Sequence, residues 1–410
     1  MTTLFTPTSA LVAGMTNPDE PICAFLHDLD GLRRQARCLG GELPAGAELF
    51  YAVKANNDPR ILRALAPHVA GFEVASAGEI RRVREAVGTA ARIIMGGPAR
   101  TVADIELLLS QHVERLHIES LHMLRLANRV AAQAGAILPI LLRVNLAGPV
   151  PGATLTMGGA PTQFGIAQAD VPHVLKLLAE CPALRFEGFH FHTVSNNRDA
   201  AGHAALCAME VRLARAWAAD HGLDLQVVNL GGGWGVDYAR PDWRFDVKAF
   251  AAGLADCDRQ NIRLQFECGR IITAYHAAYI CEIIDIKFTH GQAFALLRGG
   301  THHFRLPSSW GHDHPFAILP REDWPYDWPR PEATGVDLTF AGELCTPKDV
   351  LARNVAVERA RVGDLVCFLM AGAYGWDISH HDFLRHAHPE RLFLEGNAAE
   401  LDSIPSGEIE

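Results

Sequence analysis

Phe50-Tyr51-Ala52-Val53-Lys54-Ala55-Asn56 places one lysine at the end of an otherwise apolar, strand-like run. Taken alone the lysine has two readings. Strands near a sheet edge often carry one such residue. At the inner end of a buried strand, an ammonium is costly unless its charge is paired or its pKa falls. A lowered pKa is what an imine-forming lysine requires. The sheet around the strand decides between the two.

Working outward, short apolar runs at 49–55, 71–75, 92–96, 115–119, 138–145, 186–192, 225–230 and 263–268 alternate with helically spaced segments such as 58–65, 77–87, 101–109 and 201–221. Eight strands, each followed by a helix, is the count of a closed parallel barrel. An open doubly wound sheet uses the same alternation. The polar residues decide. Lys54, Glu73, Arg143, His192, the glycines after Leu230 and Glu267 all fall at the C-terminal ends of different strands. A barrel gathers those ends at one mouth, so the reading is an α/β chain with a (β/α)8 TIM barrel.

Beyond about residue 275 the pattern becomes strand-like at 277–287, 293–298, 336–341 and 364–369, with a Pro-, Trp- and His-rich loop over 302–331. Residues 21–27 are also strand-like and precede the barrel. The expected organisation is a barrel over 28–275 and a β-rich domain built from 1–27 and 276–410.

Composition narrows the function classes. The chain has 410 residues, 49% hydrophobic and 20% charged, with a net charge of -10, which argues against a nucleic-acid partner. Its nine cysteines are odd in number and form no CxxC pair, so neither a disulfide framework nor a zinc knuckle is suggested. The N-terminus lacks a basic region followed by an apolar core, and no run approaches the roughly 18 to 20 apolar residues of a membrane span. A cytoplasmic enzyme without a membrane partner is expected.

Further motifs carry chemistry, each beside a plainer reading. Asn229-Leu230-Gly231-Gly232-Gly233-Trp234-Gly235 follows a strand, and its N–H groups can cradle a phosphate; many tight βα turns look the same. Its spacing is not that of a dinucleotide fingerprint. Phe266-Glu267-Cys268-Gly269-Arg270 offers a carboxylate and a cation past the last barrel strand, or merely a loop salt bridge. Gly188-Phe189-His190-Phe191-His192-Thr193-Val194-Ser195 turns two histidines to one strand face, where satisfied core histidines are common. Gly342-Glu343-Leu344-Cys345-Thr346-Pro347-Lys348-Asp349 and Gly372-Ala373-Tyr374-Gly375 lie in the second domain. The histidines at 302, 303, 312, 314, 380, 381, 386 and 388 form no regular metal-ligand motif, so solvated loops or contacts to an anionic substrate are expected in place of a metal.

In this order YAVKAN, GFEVAS, HFHTVS, GGGWG, ECGR, GELCTPKD and GAYG resemble the fold-type III pyridoxal-phosphate decarboxylases of ornithine, arginine and diaminopimelate, over about residues 20 to 390. The resemblance implies an alanine racemase-like fold and a homodimer whose β-rich domain completes the partner subunit's active site. It implies pyridoxal 5'-phosphate on Lys54, His192 stacked on its ring and Glu267 at its pyridine nitrogen. Ser195, Gly232, Gly233, Gly269, Arg270 and Tyr374 would hold the phosphate, with Glu73 and Arg143 supporting the ring. Cys345 would protonate the product carbanion.

Departures bear on the substrate. The family usually has His-Val-Gly-Ser and Glu-Pro-Gly-Arg where this chain has His192-Thr193-Val194-Ser195 and Glu267-Cys268-Gly269-Arg270. Thr346 stands where ornithine decarboxylases place an Asp to bind a distal amine. His302, His303 and Arg305 occupy the region that reads the substrate's far end, and their groups suit carboxylates. The chain therefore looks most like the siderophore-pathway, staphyloferrin B-type branch acting on a citryl-diaminopropionate. The alternatives are decarboxylation of a free diamino acid, a racemase on the same fold, a bare-barrel cofactor carrier and, more remotely, a dehydrogenase.

Overall fold

The computed structural model describes residues 4–8, 11–12, 15, 20–148, 155–156, 161–255, 257, 261–311, 314–396 and 402–404. Two compact units are present: Arg33–Val236 with Arg244–Ile272, and Met1–Leu32 with Asp237–Trp243 and Thr273–Glu410.

In the first unit, β2 (Glu48–Ala52), β3 (Gly71–Val74), β4 (Ile93–Met95), β5 (Arg115–Ile118), β6 (Leu138–Asn145), β7 (Leu184–Phe191), β8 (Val227–Asn229) and β9 (Arg263–Cys268) pair in parallel. β9 pairs back onto β2, Phe266 opposite Leu49, and closes the ring. Ile166–Ala167 is an appendage on β6. The helices are α2 (Pro59–Leu65), α3 (Ala77–Val87), α4 (Val102–Ser110), α5 (Leu121–Gln133), α6 (Val171–Leu177), α7 (Ala200–Asp220), α8 (Val247–Gly253) and the short turn Arg270–Thr273; α1 (Leu29–Glu42) precedes β2. Short polar residues start several of them. Asp58, Ser76, Thr101, Ser120, Asp199 and Asp246 each accept a backbone N–H of the first helical turn. That chemistry ends the βα loops sharply and frees the residues before them for the barrel mouth.

The N-terminal ends of the strands carry structural charge. Arg92 binds Glu48 at 2.6 Å and Glu114 at 2.7 Å, while Gln265 donates to Glu48 at 2.8 Å. Arg115 pairs with the buried Glu187, which Arg185 also meets at 2.8 Å. Ion pairs sealing this end leave the opposite end for chemistry.

The strand expected to run to residue 55 stops at Ala52, and Val53–Ala55 form a single 3-10 turn. Asn56 N–H donates to Val53 O at 3.0 Å, and the buried Tyr51 hydroxyl donates to Asn56 O at 2.9 Å. The turn lifts Lys54 off the strand.

The other unit holds a mixed sheet. Its strands are β1 (Cys23–Asp28), β10 (Ala277–Thr289), β11 (Gln292–Leu297), β12 (Phe316–Leu319), β13 (Glu332–Ala341), β14 (Val350–Arg361), β15 (Leu365–Phe368), β16 (Glu390–Leu394) and β17 (Asp402–Ile404). Their order is β14-β13-β11-β10-β1-β16-β17, with β15 joining β10 to β12. The strand-like run at 21–27 is thus β1, hydrogen-bonded between β10 and β16. Its inward face joins Ile22, Ala24, Leu26, Ala278, Ile280 and Leu392 in one apolar core. The loop expected over 302–331 contains a helix, Leu306–Trp310, and β12. Asp237–Trp243 groups with this unit, not with the barrel: Tyr238 packs on His314 at 4.3 Å, and Tyr275 Oη donates to Trp243 O at 2.8 Å.

Candidate active site

Lys54 Nζ donates to Glu73 Oε2 at 3.1 Å. Glu73 is buried on β3, and burial holds its carboxyl above the usual carboxylate range although Lys54 acts to lower it. The lysine of the opening motif is therefore neither an edge-strand lysine nor an isolated buried ammonium. Its turn packs on the residues after β9: a Cβ at Gly269 would lie 2.7 Å from Ala55 Cβ and 3.0 Å from Ala52 O.

Glu267, on β9, points into a buried polar floor. Asn229 Nδ2 donates to its Oε1 at 2.7 Å. His190 Nε2 lies 3.4 Å from Oε2, and His117 Nδ1 lies 3.8 Å from Oε1. The glycine bend after β8 locks onto the same wall. A Cβ at Gly232 would sit 2.1 Å from Glu267 O, and one at Gly233 2.5 Å from Val194 O. Gly231 and Gly233 have φ of +65° and +97°, which side-chain-bearing residues rarely adopt. Gly232 N–H donates to His192 Nδ1 at 3.2 Å, so His192 is read as the neutral tautomer that accepts there. Burial, with Lys54 and Arg143 adding repulsion, holds His192 well below the usual imidazole range. Ser195 sits on the short Val194–Ser195 strand, beside the position that Gly233 approaches.

Arg143 on β6 donates to Glu119 Oε1 at 2.7 Å, and its guanidinium lies 4.8 Å from the Phe164 ring centre. Glu119 also accepts Gly97 N–H at 2.8 Å and Gly165 N–H at 3.0 Å, tying the loops after β4 and β6 to Arg143. Sequence reading passed over Glu119, His117 and Asn229. A signal existed: Arg115 and His117 on β5 and Glu119 just past its end alternate, where a buried parallel strand is ordinarily apolar.

Thr193, after β7, donates to Glu210 Oε1 of α7 at 2.7 Å, and burial pushes Glu210 up to about 8, against the Thr193 hydrogen bond. Between the unfolded value near 4.5 and about 8, the folded chain keeps a proton that the unfolded chain releases. Glu210 therefore costs stability increasingly as pH rises through that window, and the cost is level above it. Glu210→Gln keeps the acceptor and removes the charge. Its unfolding free energy should pull ahead of the wild type from pH 5 to 8, by on the order of a few kcal/mol at the upper end, and its melting temperature should rise with it. Equal pH profiles in differential scanning calorimetry would refute this.

In the β-rich unit, Cys345 is exposed, Thr346 is half-buried, and Tyr374 holds a left-handed φ of +55°. Asp349 accepts Thr301 N–H at 2.6 Å, Thr301 Oγ1–H at 2.7 Å and Leu344 N–H at 2.8 Å, which fixes the turn before Cys345 to the 301 loop. The expectation of solvated histidine loops fails at three positions: His302, His303 and His314 are 0%, 0% and 2% exposed. Aromatic packing buries them. Phe304 meets His314 at 4.7 Å, and Tyr279 Oη lies 3.2 Å from His303 Nδ1. Burial and the neighbouring His302 push His303 down to about 2, so it is a neutral imidazole. His302 Nε2 and His386 Nδ1 lie 3.5 and 3.6 Å from Glu343 Oε1, which Arg298 clasps at 2.7 Å. Burial would raise Glu343, but His302 and Arg298 outweigh it and hold it low. Arg305 is exposed, and its N–H donates to Ser379 Oγ at 3.0 Å. His312 and Asp313 lie outside the described residues.

An amine after the first strand of a closed barrel, a buried carboxylate on its last and a side-chain-free bend packed on that carboxylate's backbone form a barrel site with the groups that an aldehyde cofactor would use. Residues 29–274 match the family described as pyridoxal-dependent decarboxylase, pyridoxal binding domain, and the chain belongs to that family. Its cofactor is pyridoxal phosphate, and it is an amino-acid decarboxylase. It is 43% identical, over 91% of its length and 94% of the relative's, to 2-[(L-alanin-3-ylcarbamoyl)methyl]-2-hydroxybutanedioate decarboxylase of Staphylococcus aureus. It is 29% identical, over 80% of its length and 83% of the relative's, to the diaminopimelate decarboxylase of Bacteroides thetaiotaomicron. Among solved structures it resembles Helicobacter pylori diaminopimelate decarboxylase complexed with L-lysine, with a TM-score of 0.82 at 22% identity, covering 94% of this chain and 93% of that one. This likeness establishes the alanine racemase-like fold. Among the described residues, no helix is long and apolar enough to cross a membrane.

Proposed function

We propose that the chain removes the α-carboxylate of a diaminopropionate joined by an amide to a citryl group, the compound named for its Staphylococcus aureus relative, in siderophore biosynthesis. The carrying observation is 43% identity across nearly the full length of both chains. Thr346 supports the reading, since it offers no carboxylate for a distal ammonium. The basic residues Arg298, His302, His386 and Arg305 collect in the unit that carries Thr346.

The residues of the barrel fit pyridoxal phosphate: a Cβ at Gly232 or Gly233 would strike backbone, so the bend offers main chain alone. Lys54 would carry the cofactor, with Glu267 at its ring nitrogen and His192 against its face. Ser195, the glycine bend, Gly269, Arg270 and Tyr374 would take the phosphate. When bound, the group supplies an electron sink for the pair left at Cα as the Cα–carboxylate bond breaks and CO2 departs. Glu73 Oε2 accepts the Lys54 N–H, which keeps that proton beside the amine. Asn229 orients Glu267. The Glu119–Arg143 pair ties the loops after β4 and β6 together and would hold Arg143 in place beside the cofactor. The exposed Cys345 thiol would deliver a proton to Cα, on the partner subunit of a homodimer. A cytoplasmic setting suits its free thiols.

CO2 release by pyridoxal-loaded protein should be seen with citryl-diaminopropionate and be at least tenfold weaker, roughly one missing polar contact's worth, with diaminopimelate, ornithine, arginine and lysine. Turnover of a free diamino acid, with none of the conjugate, would overturn the assignment.

A further inference from the structure

His117 and His190 occupy the barrel floor at 0% and 3% exposure, with ring centres 4.2 Å apart. Among the described residues, none of their four ring nitrogens has a hydrogen-bond partner. Leaving such atoms unsatisfied in a buried site is costly. One nitrogen of each ring lies against Glu267: His190 Nε2 at 3.4 Å from Oε2 and His117 Nδ1 at 3.8 Å from Oε1. The charged groups facing the pair are Glu267, Arg143, Arg115 and Lys54, and burial holds both imidazoles well below their usual range, so each is neutral. A neutral ring beside a carboxylate is stable only with its N–H turned toward the oxygen.

We propose that His117 and His190 are positioning residues, a neutral donor pair beneath Glu267 that orients its carboxylate toward the pyridine nitrogen of pyridoxal phosphate. The inference rests on the assignment of Glu267 as the partner of that nitrogen. Asn229 already donates to Oε1; the imidazole nitrogens, 3.4 and 3.8 Å from the carboxylate, stand just outside hydrogen-bond geometry and would close on it when the cofactor ring engages Glu267. The same three side chains bring one ligand atom each within 4.8 Å of one another, a span that also admits a divalent cation. A cation would engage the carboxylate that the ring nitrogen needs, which favours the donor pair.

The experiment uses full-length His190→Phe, His190→Gln, His117→Phe and Glu267→Gln proteins. Without substrate, pyridoxal-phosphate affinity and the pH titration of the bound cofactor's absorbance are measured, with melting of the cofactor-free protein and bound metal content alongside. The expected result is a loss of about ten- to a hundredfold in cofactor affinity for both Phe variants. Their absorbance midpoint should also move by about one pH unit or more. His190→Gln, which retains a donor, should recover most of both. Phe variants whose titration and affinity match the wild type, while Glu267→Gln shifts, would overturn the donor pair alone. An unchanged Glu267→Gln would instead refute the Glu267 assignment beneath it. Stoichiometric metal lost on chelation and absent from His117→Phe would also overturn the proposal. Should a Phe variant fail to melt cooperatively, the His190→Gln titration decides: a profile unlike the wild type's counts against the pair.

Discussion

Lys54→Ala is expected to lose the visible absorbance of bound cofactor and to lower turnover by on the order of 10^4-fold or more, since on the proposed assignment one residue supplies both a covalent anchor and a proton-carrying amine. The loss should exceed that of any neighbouring change because the attachment is covalent. Within the barrel, Lys54 Nζ is held by Glu73 at 3.1 Å, on a turn set by Tyr51 and Asn56. Alanine keeps that turn, because the hydrogen bonds shaping it run through Tyr51 Oη and the main chain of Val53 and Asn56. The folded protein should therefore survive and its melting should still be cooperative. Absorbance spectra and CO2 release measured on the same sample check both halves. An alanine variant that keeps the absorbance band would refute Lys54 as the attachment point.

Glu267→Gln carries the second large effect. The amide is nearly isosteric, and the Gly232 bend packs on the Glu267 backbone, so the floor should hold its shape. What disappears is the negative charge that, on the proposed assignment, would stabilise a protonated ring nitrogen. The electron sink then weakens in the transition state more than in substrate binding. The expected outcome is a fall in kcat of about 10^2- to 10^4-fold with KM nearly unchanged. Steady-state kinetics on the citryl conjugate separate the two constants. A kcat within a few fold of wild type would exclude the role.

The barrel was legible because its strands are apolar runs of the right length and because polar residues recur at their C-terminal ends. Boundaries at 77–87, 138–145 and 263–268 agree with α3, β6 and β9. The β-rich unit was less legible. β14 (Val350–Arg361) reads Val-Leu-Ala-Arg-Asn-Val-Ala-Val-Glu-Arg-Ala-Arg, whose charges interrupt any apolar alternation. It is nonetheless a strand, because β13 pairs along it from Glu332 to Ala341. The helix Leu306–Trp310 and β12 were hidden in a stretch dense in proline and tryptophan, where local signals point to loop.

By itself the sequence determined the order of barrel strands, the lysine at the end of the first, the glycine bend and the carboxylate after it. These depend on spacing and residue type, which a linear chain displays. Only the tertiary structure decided which groups meet. Glu73 reaches Lys54 from a neighbouring strand; Glu119 gathers loops from β4 and β6; His117 and His190 converge on Glu267 from β5, β7 and β9. Those meetings arise from closure of the ring, which brings residues far apart in sequence within hydrogen-bond range. The same holds for charge. Burial, which sequence position alone does not specify, makes His303 a neutral imidazole.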